Sequence, residues 1–186
     1  NIDLQGKFSD EGLLESAHFP EFQDMVSKQI MVTSHDGVEV PLSLVYNKDL
    51  SLDSNNEVFM YVYGAYGESG GITAGMAVNE CPELYSSFIA EVPRMHPFGL
   101  ESSTMSSSTS YIEYGTVKDS LECRGLVRMD PYLNLSANKY YPATLIMPSN
   151  SDDRIPLWDS GKYIAKLQKY NKAKTPILMD IDYDSG

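Results

Sequence analysis

Apolar and polar residues alternate twice in the first third of the chain, in KQIMVTS (28–34) and VEVPLSLVY (38–46), on either side of His35-Asp36-Gly37. Period-two alternation flanking an Asp-Gly dipeptide predicts a β-hairpin, and a histidine in such a turn reads as solvated. Residues 1–27 are mixed and broken by Pro20, which reads as an arm or linker leading into one domain over 28–186. After the loop SLDSNNE, the run EVFMYVY (57–63) is continuously apolar and reads as a buried central strand. Glycine-rich YGAYGESGG then leads into ITAGMAVNECPELY, a helix expected to end near Pro82, and FIAEVP is a short strand. The stretch from Arg94 to Ser110 contains the serine-rich STMSSSTS and reads as a loop; YIEYGTVKDSLECRGLVRMDPY is partly helical. YPATLIMP is a buried-type strand, SNSDDR a loop, and WDSGKYIAKLQKYN a helix with Trp158, Tyr163, Ile164 and Leu167 as its apolar residues. TPILMDIDY is the last strand, and strands alternating with helices predict an α/β fold on a largely parallel sheet.

Charge and composition narrow the partners. The 186 residues carry 26 acidic against 14 basic side chains, a net −12, and 42% are hydrophobic. That is enough apolar material for a core, and it disfavours nucleic acid or an anionic membrane surface as a partner. Cys81 and Cys123 are too few and too far apart for a metal cluster or a disulfide framework, so both are expected to be reduced, buried thiols. No metal or other cofactor is expected. The N-terminal NIDLQGKFSDEG has neither a basic start nor an apolar core, and the expectation is a cytoplasmic protein without a signal peptide.

The candidate chemistry starts at Gly67-Glu68-Ser69-Gly70-Gly71, a Gly-x-Ser-x-Gly pattern between a strand-like and a helix-like segment. A nucleophilic serine on a sharp strand-to-helix turn needs glycines where side chains would collide, and the helix N-terminus faces developing negative charge. The alternative is a glycine-rich connector with an idle serine. A carboxylate after a late strand would orient a histidine in such a fold, and Asp152 and Asp153 both stand there; the alternative is a surface loop. In this chain order the histidine follows the acid, yet His18, His35 and His96 all precede Asp152.

Several long stretches, in order, resemble the catalytic domain of the prolyl oligopeptidase family of serine peptidases, in particular its prolyl endopeptidase and oligopeptidase B branches. They are SHDGVEVPLSLVY, VFMYVYGAYG, ESGGIT with PELYSSFIAEVP, EYGTVKDS, YPATLIMPSNSDDRIPLW, GKYIAKLQ and ILMDIDYDSG. The resemblance implies an α/β-hydrolase-like three-layer fold, truncated, acting on short peptides through an acyl-enzyme. It implies Ser69 as nucleophile and Asp152 as the acid, because the family reads Asn-Asp-x-Arg-Val-Pro where this chain has Ser-Asp-Asp-Arg-Ile-Pro. It also implies an oxyanion site from the Tyr63 hydroxyl and the Gly70 N–H, each such donor worth about 3–4 kcal/mol of barrier. Ser185-Gly186 matches the start of the family's final motif, and the catalytic histidine would be the next residue.

The departures from the family pattern shape the expectation. Gly67 serves both the tyrosine motif and the elbow, which the family separates by a strand–helix–strand unit, and Ser69-Gly70-Gly71 is one residue shorter than the usual Ser-Ala-Gly-Gly. The family's propeller, or the remainder of its hydrolase domain, is an expected partner. Ser110 and Ile112 stand where oligopeptidase B has acids, so its basic-residue specificity does not carry over by resemblance, and the preference between proline and basic residues stays open. Without a base the Ser69 hydroxyl is a weak nucleophile, so these 186 residues alone are expected to be inactive or impaired. The other readings are a non-catalytic hydrolase-like binding or regulatory fragment and an esterase or acylaminoacyl hydrolase on the same fold.

Overall fold

A computed structural model describes residues 19–34, 36–51, 53, 56–62, 69–102 and 110–184. The chain divides into two compact units, Asn1–Phe59 and Met60–Gly186.

The first unit holds the hairpin. Strands β1 (Met25–Thr33) and β2 (Glu39–Asn47) pair antiparallel, with Met25 opposite Asn47 and Thr33 opposite Glu39. Gly37 takes φ +84°, the left-handed conformation that the tight turn demands, and its N–H reaches Ser34 O at 2.9 Å. The register stacks Val26 on Tyr46, Ile30 on Leu42 and Val32 on Val40, which collects the apolar half of the alternation on one face. The Lys48–Asp24 ion pair, at 2.5 Å, ties the two ends of the hairpin together. His35 lies outside the described residues.

The second unit is built on a parallel sheet of β3 (Ser87–Glu91), β4 (Ala143–Met147) and β5 (Ile177–Met179), in that spatial order. Its helices are α1 (Ser69–Glu80), α2 (Ser110–Tyr114), α3 (Ser120–Met129) and α4 (Leu157–Tyr170). Phe88, Ile146 and Ile177, one from each strand, meet Val78 of α1 and Tyr163, Ile164 and Leu167 of α4 in a single core. The alternate positions Ile89 and Leu178 face away from that core and are exposed. Asp119 caps α3 by accepting from Leu121 N and Glu122 N at 2.8 and 3.0 Å. Tyr163 donates its buried hydroxyl to Asn79 Oδ1 at 3.1 Å, and Asn79 donates in turn to Pro131 O at 2.7 Å. That chain satisfies the Tyr163 hydroxyl and the Asn79 amide between α1 and α4.

Two expectations need correcting. Residues 57–62 of the apolar run do not form a strand: Val58 and Phe59 are 81% and 87% exposed, and the residues carry no ladder bonds. Apolar composition states that a segment gains from burial, but a parallel strand exists only where a neighbour supplies the ladder and helices cover both faces. Cys81 is exposed and Cys123 only half-buried, because Cys81 falls in the break between α1 and the turn Pro82–Leu84 rather than on a core-facing stripe. Among the described residues no helix is long and apolar enough to cross a membrane.

Candidate active site

Three segments come together at the C-terminal edge of the parallel sheet. The first turn of α1 packs on the residues that leave β3. A Cβ on Gly71 would sit 2.7 Å from Arg94 N and 2.9 Å from Pro93, so the approach is one that only glycine permits. The second segment is the loop leaving β4, which carries Asp152. The third leaves β5 and prolongs the ladder beyond the strand: Asp180 N bonds Ile146 O at 3.0 Å, Asp182 N bonds Pro148 O at 3.0 Å, and Asn150 N bonds Asp182 O at 2.8 Å. An open cleft of about 410 Å³ sits at these strand ends, lined among others by Glu91, Met147, Ser149, Asp180 and Asp182. Ligands of open α/β sheets bind outside the carboxyl ends of the strands for this topological reason.

Asp152 is half-buried, and its own turn holds it in place. Its Oδ1 accepts Arg154 N at 2.6 Å and Ile155 N at 2.9 Å, an Asx-type turn that fixes the side-chain torsion. Its Oδ2 makes no hydrogen bond among the described residues and is left to accept one. Asp153, the other candidate, is exposed.

Beneath this edge lies a buried polar layer. Arg94, 3% exposed, donates from Nη2 to Arg154 O at 2.8 Å and stands 5.8 Å from the centre of the Tyr114 ring. One guanidinium therefore joins the segment under the first turn of α1 to the turn that holds Asp152. Asp159, on α4, is fully buried and accepts Met95 N through Oδ1 at 2.6 Å, while its Oδ2 and the neighbouring Ser160 Oγ have no partner among the described residues. Burial pushes the Asp159 carboxyl up from 3.8 to about 6, against the Met95 amide and the Arg94 guanidinium, with Asp130 adding to the rise. Next to it, His96 Nδ1 is 2.8 Å from Asp130 Oδ2. Asp130 is fully buried and also accepts Phe98 N at 2.9 Å and Leu133 N at 2.8 Å.

The raised Asp159 carboxyl has a consequence for stability. Between about pH 4 and 6 the folded chain holds a proton on this group that the unfolded chain has lost, so stability falls as pH rises through that window. Asp159→Asn removes the titration. Its stability relative to the parent is expected to improve by about 2 kcal/mol between pH 4 and pH 7. Urea unfolding of both proteins at the two pH values measures this, and an equal difference at both would show that the fold does not raise the Asp159 carboxyl.

The sequence-derived residues are placed as follows. Ser69 is the first residue of α1 and Gly70 the second, at the sheet edge that also carries Asp152. The Ser69 side chain, Tyr63, Gly67, His18, Ser185 and Gly186 lie outside what the structure describes. Among the described residues no group of three or more His, Cys, Asp and Glu side chains is placed to hold a metal. Sequence reasoning missed Arg94, His96, Asp130 and Asp159, placing the first two in a loop. Asp159 did leave a trace, because it precedes Tyr163 by four positions and so belongs to the core-facing stripe of α4. The His96–Asp130 pair spans 34 positions and left none.

Comparison with known proteins agrees with this architecture. The chain is 23% identical to the prolyl endopeptidase of Elizabethkingia meningoseptica, over 88% of its own length and 34% of the relative's. It is 27% identical to dipeptidyl aminopeptidase BI of Pseudoxanthomonas mexicana, over 64% of its length and 17% of the relative's. Among solved structures, oligopeptidase B of Trypanosoma brucei superposes with a TM-score of 0.79 at 18% identity, covering 88% of this chain and 34% of that one. The chain thus spans about a third or less of the relatives it matches. Residues 60–186, the same stretch that forms the second compact unit, match the model of the prolyl oligopeptidase family, and the chain belongs to that family.

Proposed function

We propose that residues 60–186 are part of the catalytic domain of a serine peptidase that hydrolyses short peptides through an acyl-enzyme. The observation that carries this is the meeting of the α1 start, the Asp152 turn and the segment through Asp182 at one sheet edge. In this reading Ser69 Oγ attacks the scissile carbonyl while a histidine following Gly186 takes its proton. Asp152 Oδ2 accepts the far imidazole N–H and keeps the ring in the productive tautomer. The Gly70 N–H, at the start of α1, and the Tyr63 hydroxyl receive the oxyanion. The segment Asp182–Asp184 is the right one to deliver that histidine, since it is bonded alongside Ser149 and Asn150, just ahead of Asp152. The protein works in the cytoplasm under this reading, and the remaining parts of the family architecture complete the peptide site.

Among the described residues no histidine stands at the strand-end edge as a base for Ser69: His96, paired through Nδ1 with Asp130, lines a different cleft. Turnover of a proline- or arginine-linked chromogenic peptide by the 186 residues alone is expected to be negligible. A chain continuing past Gly186 into histidine is expected to cleave the peptide, to label at Ser69 with a fluorophosphonate, and to lose both on Ser69→Ala. One observation favours the second reading, a non-catalytic hydrolase-like binding fragment: the exposed residues 57–62 supply no strand to hold an elbow. A histidine-bearing chain that neither labels nor cleaves would establish that reading instead.

A further inference from the structure

The buried His96–Asp130 pair opens onto a second cleft, of about 420 Å³, which shares no lining residue with the cleft at the strand ends. Besides His96, its walls include Phe98, Glu101, Val117, Lys118 and Lys162. A carboxylate only accepts, so Asp130 places a hydrogen on His96 Nδ1, and in the neutral ring Nε2 is then the lone-pair acceptor. The ring is held between Tyr132, at a centroid distance of 4.5 Å, and Trp158, edge-on at 6.1 Å. Its side chain is only 7% exposed, and Nε2 makes no hydrogen bond among the described residues. The space over that nitrogen exists because position 99 is glycine: a Cβ there would lie 2.7 Å from Nε2. A pre-oriented, mostly desolvated acceptor at the wall of a cleft is a position for a ligand N–H.

The charges around it define the rest of the ligand. Glu101 is already satisfied, by Val117 N at 2.8 Å, by Thr116 Oγ1 at 2.8 and 2.9 Å and by Lys118 Nζ at 3.2 Å, and these donors hold its carboxyl below the usual range. Lys162 Nζ lies 4.8 Å from the centre of the Trp158 ring and has no carboxylate partner among the described residues. Phe98 and Val117 make the wall apolar. The cleft therefore offers one uncommitted cation, one uncommitted acceptor and an apolar surface.

We propose that this cleft binds an N-acylated amino acid with an apolar side chain, free or as the C-terminal residue of a peptide. Its carboxylate meets Lys162, its amide N–H meets His96 Nε2, and its side chain lies on Phe98 and Val117. The inference is independent of the chemistry at Ser69, since none of these groups belongs to that edge.

The 186-residue chain can be titrated with N-acetylphenylalanine, its C-terminal amide, 3-phenylpropanoate and a tetrapeptide ending in phenylalanine, following the His96 ring signals by NMR. N-acetylphenylalanine is expected to bind about tenfold more tightly than the amide, which lacks the carboxylate, and than 3-phenylpropanoate, which lacks the N–H. Lys162→Gln, a change at an exposed position, is expected to abolish the preference for acid over amide. Tetrapeptide binding at the same strength would identify peptide C-termini as the source, and binding of the small acid alone would identify free acylamino acids. The proposal is overturned if acid and amide bind alike, if loss of the N–H costs nothing, or if Lys162→Gln leaves the acid preference intact.

Discussion

Asp152→Ala, in a chain that continues past Gly186 into histidine, is expected to lower kcat for a short chromogenic peptide about 10⁴-fold with little change in KM. In the proposed triad the acid would not touch the substrate; it would set the imidazole tautomer and stabilise the imidazolium formed as Ser69 gives up its proton. These effects belong to the transition state and so appear in kcat. Asp152 also has a structural task, because Oδ1 closes the turn by accepting Arg154 N and Ile155 N. Asp152→Asn separates the two. The amide oxygen can still accept both backbone N–H groups, while an NH₂ replaces the free Oδ2 and forces the wrong tautomer on the histidine. The asparagine variant is therefore expected to keep the parent's thermal stability and still lose kcat about as severely as alanine does. If Asp152→Asn retained parental kcat, the triad assignment would fail, and Asp152 would be only a turn residue.

The second large effect is on stability. Asp130→Ala is expected to cost about 3–5 kcal/mol, because three buried donors lose their acceptor at about 1–3 kcal/mol each. The carboxylate is fully buried and serves three donors: the His96 ring, Phe98 N and Leu133 N. Alanine leaves all three in an apolar setting with nothing to accept them, and each unsatisfied donor carries its own desolvation cost. Asp130→Asn keeps one oxygen and is expected to fall between alanine and the parent. The chain's single tryptophan, Trp158, lies 6.1 Å from the His96 ring and reports on this region directly. Urea unfolding followed by its fluorescence gives the midpoint and slope for each variant. A loss below about 1 kcal/mol for Asp130→Ala would mean that water replaces the carboxylate and that the pair is not sealed.

The pattern of residues was most readable where a structure is local. The hairpin followed from alternation around Asp36-Gly37, and the left-handed φ at Gly37 is the conformation that dipeptide was expected to supply. α4 followed from the spacing of Tyr163, Ile164 and Leu167, all of which face the core. β3, β4 and β5 followed from short apolar runs bounded by turn residues, and their parallel pairing from the helices between them. EVFMYVY is the instructive failure. It has the composition of the other strands, but residues 57–62 are exposed and carry no ladder.

The primary structure alone determined the class of fold, the position of the helix that begins at Ser69, and the turn that carries Asp152. These depend on residues within a few positions of one another, where steric preference and hydrophobic period act. Only the folded molecule decided which groups meet across long separations. Arg94 reaching Arg154, Met95 resting on Asp159 and His96 locked onto Asp130 span 60, 64 and 34 positions. No local preference encodes such pairs; they arise because the parallel sheet brings the loops after its strands to the same edge, and burial there leaves each polar atom dependent on the partners within reach.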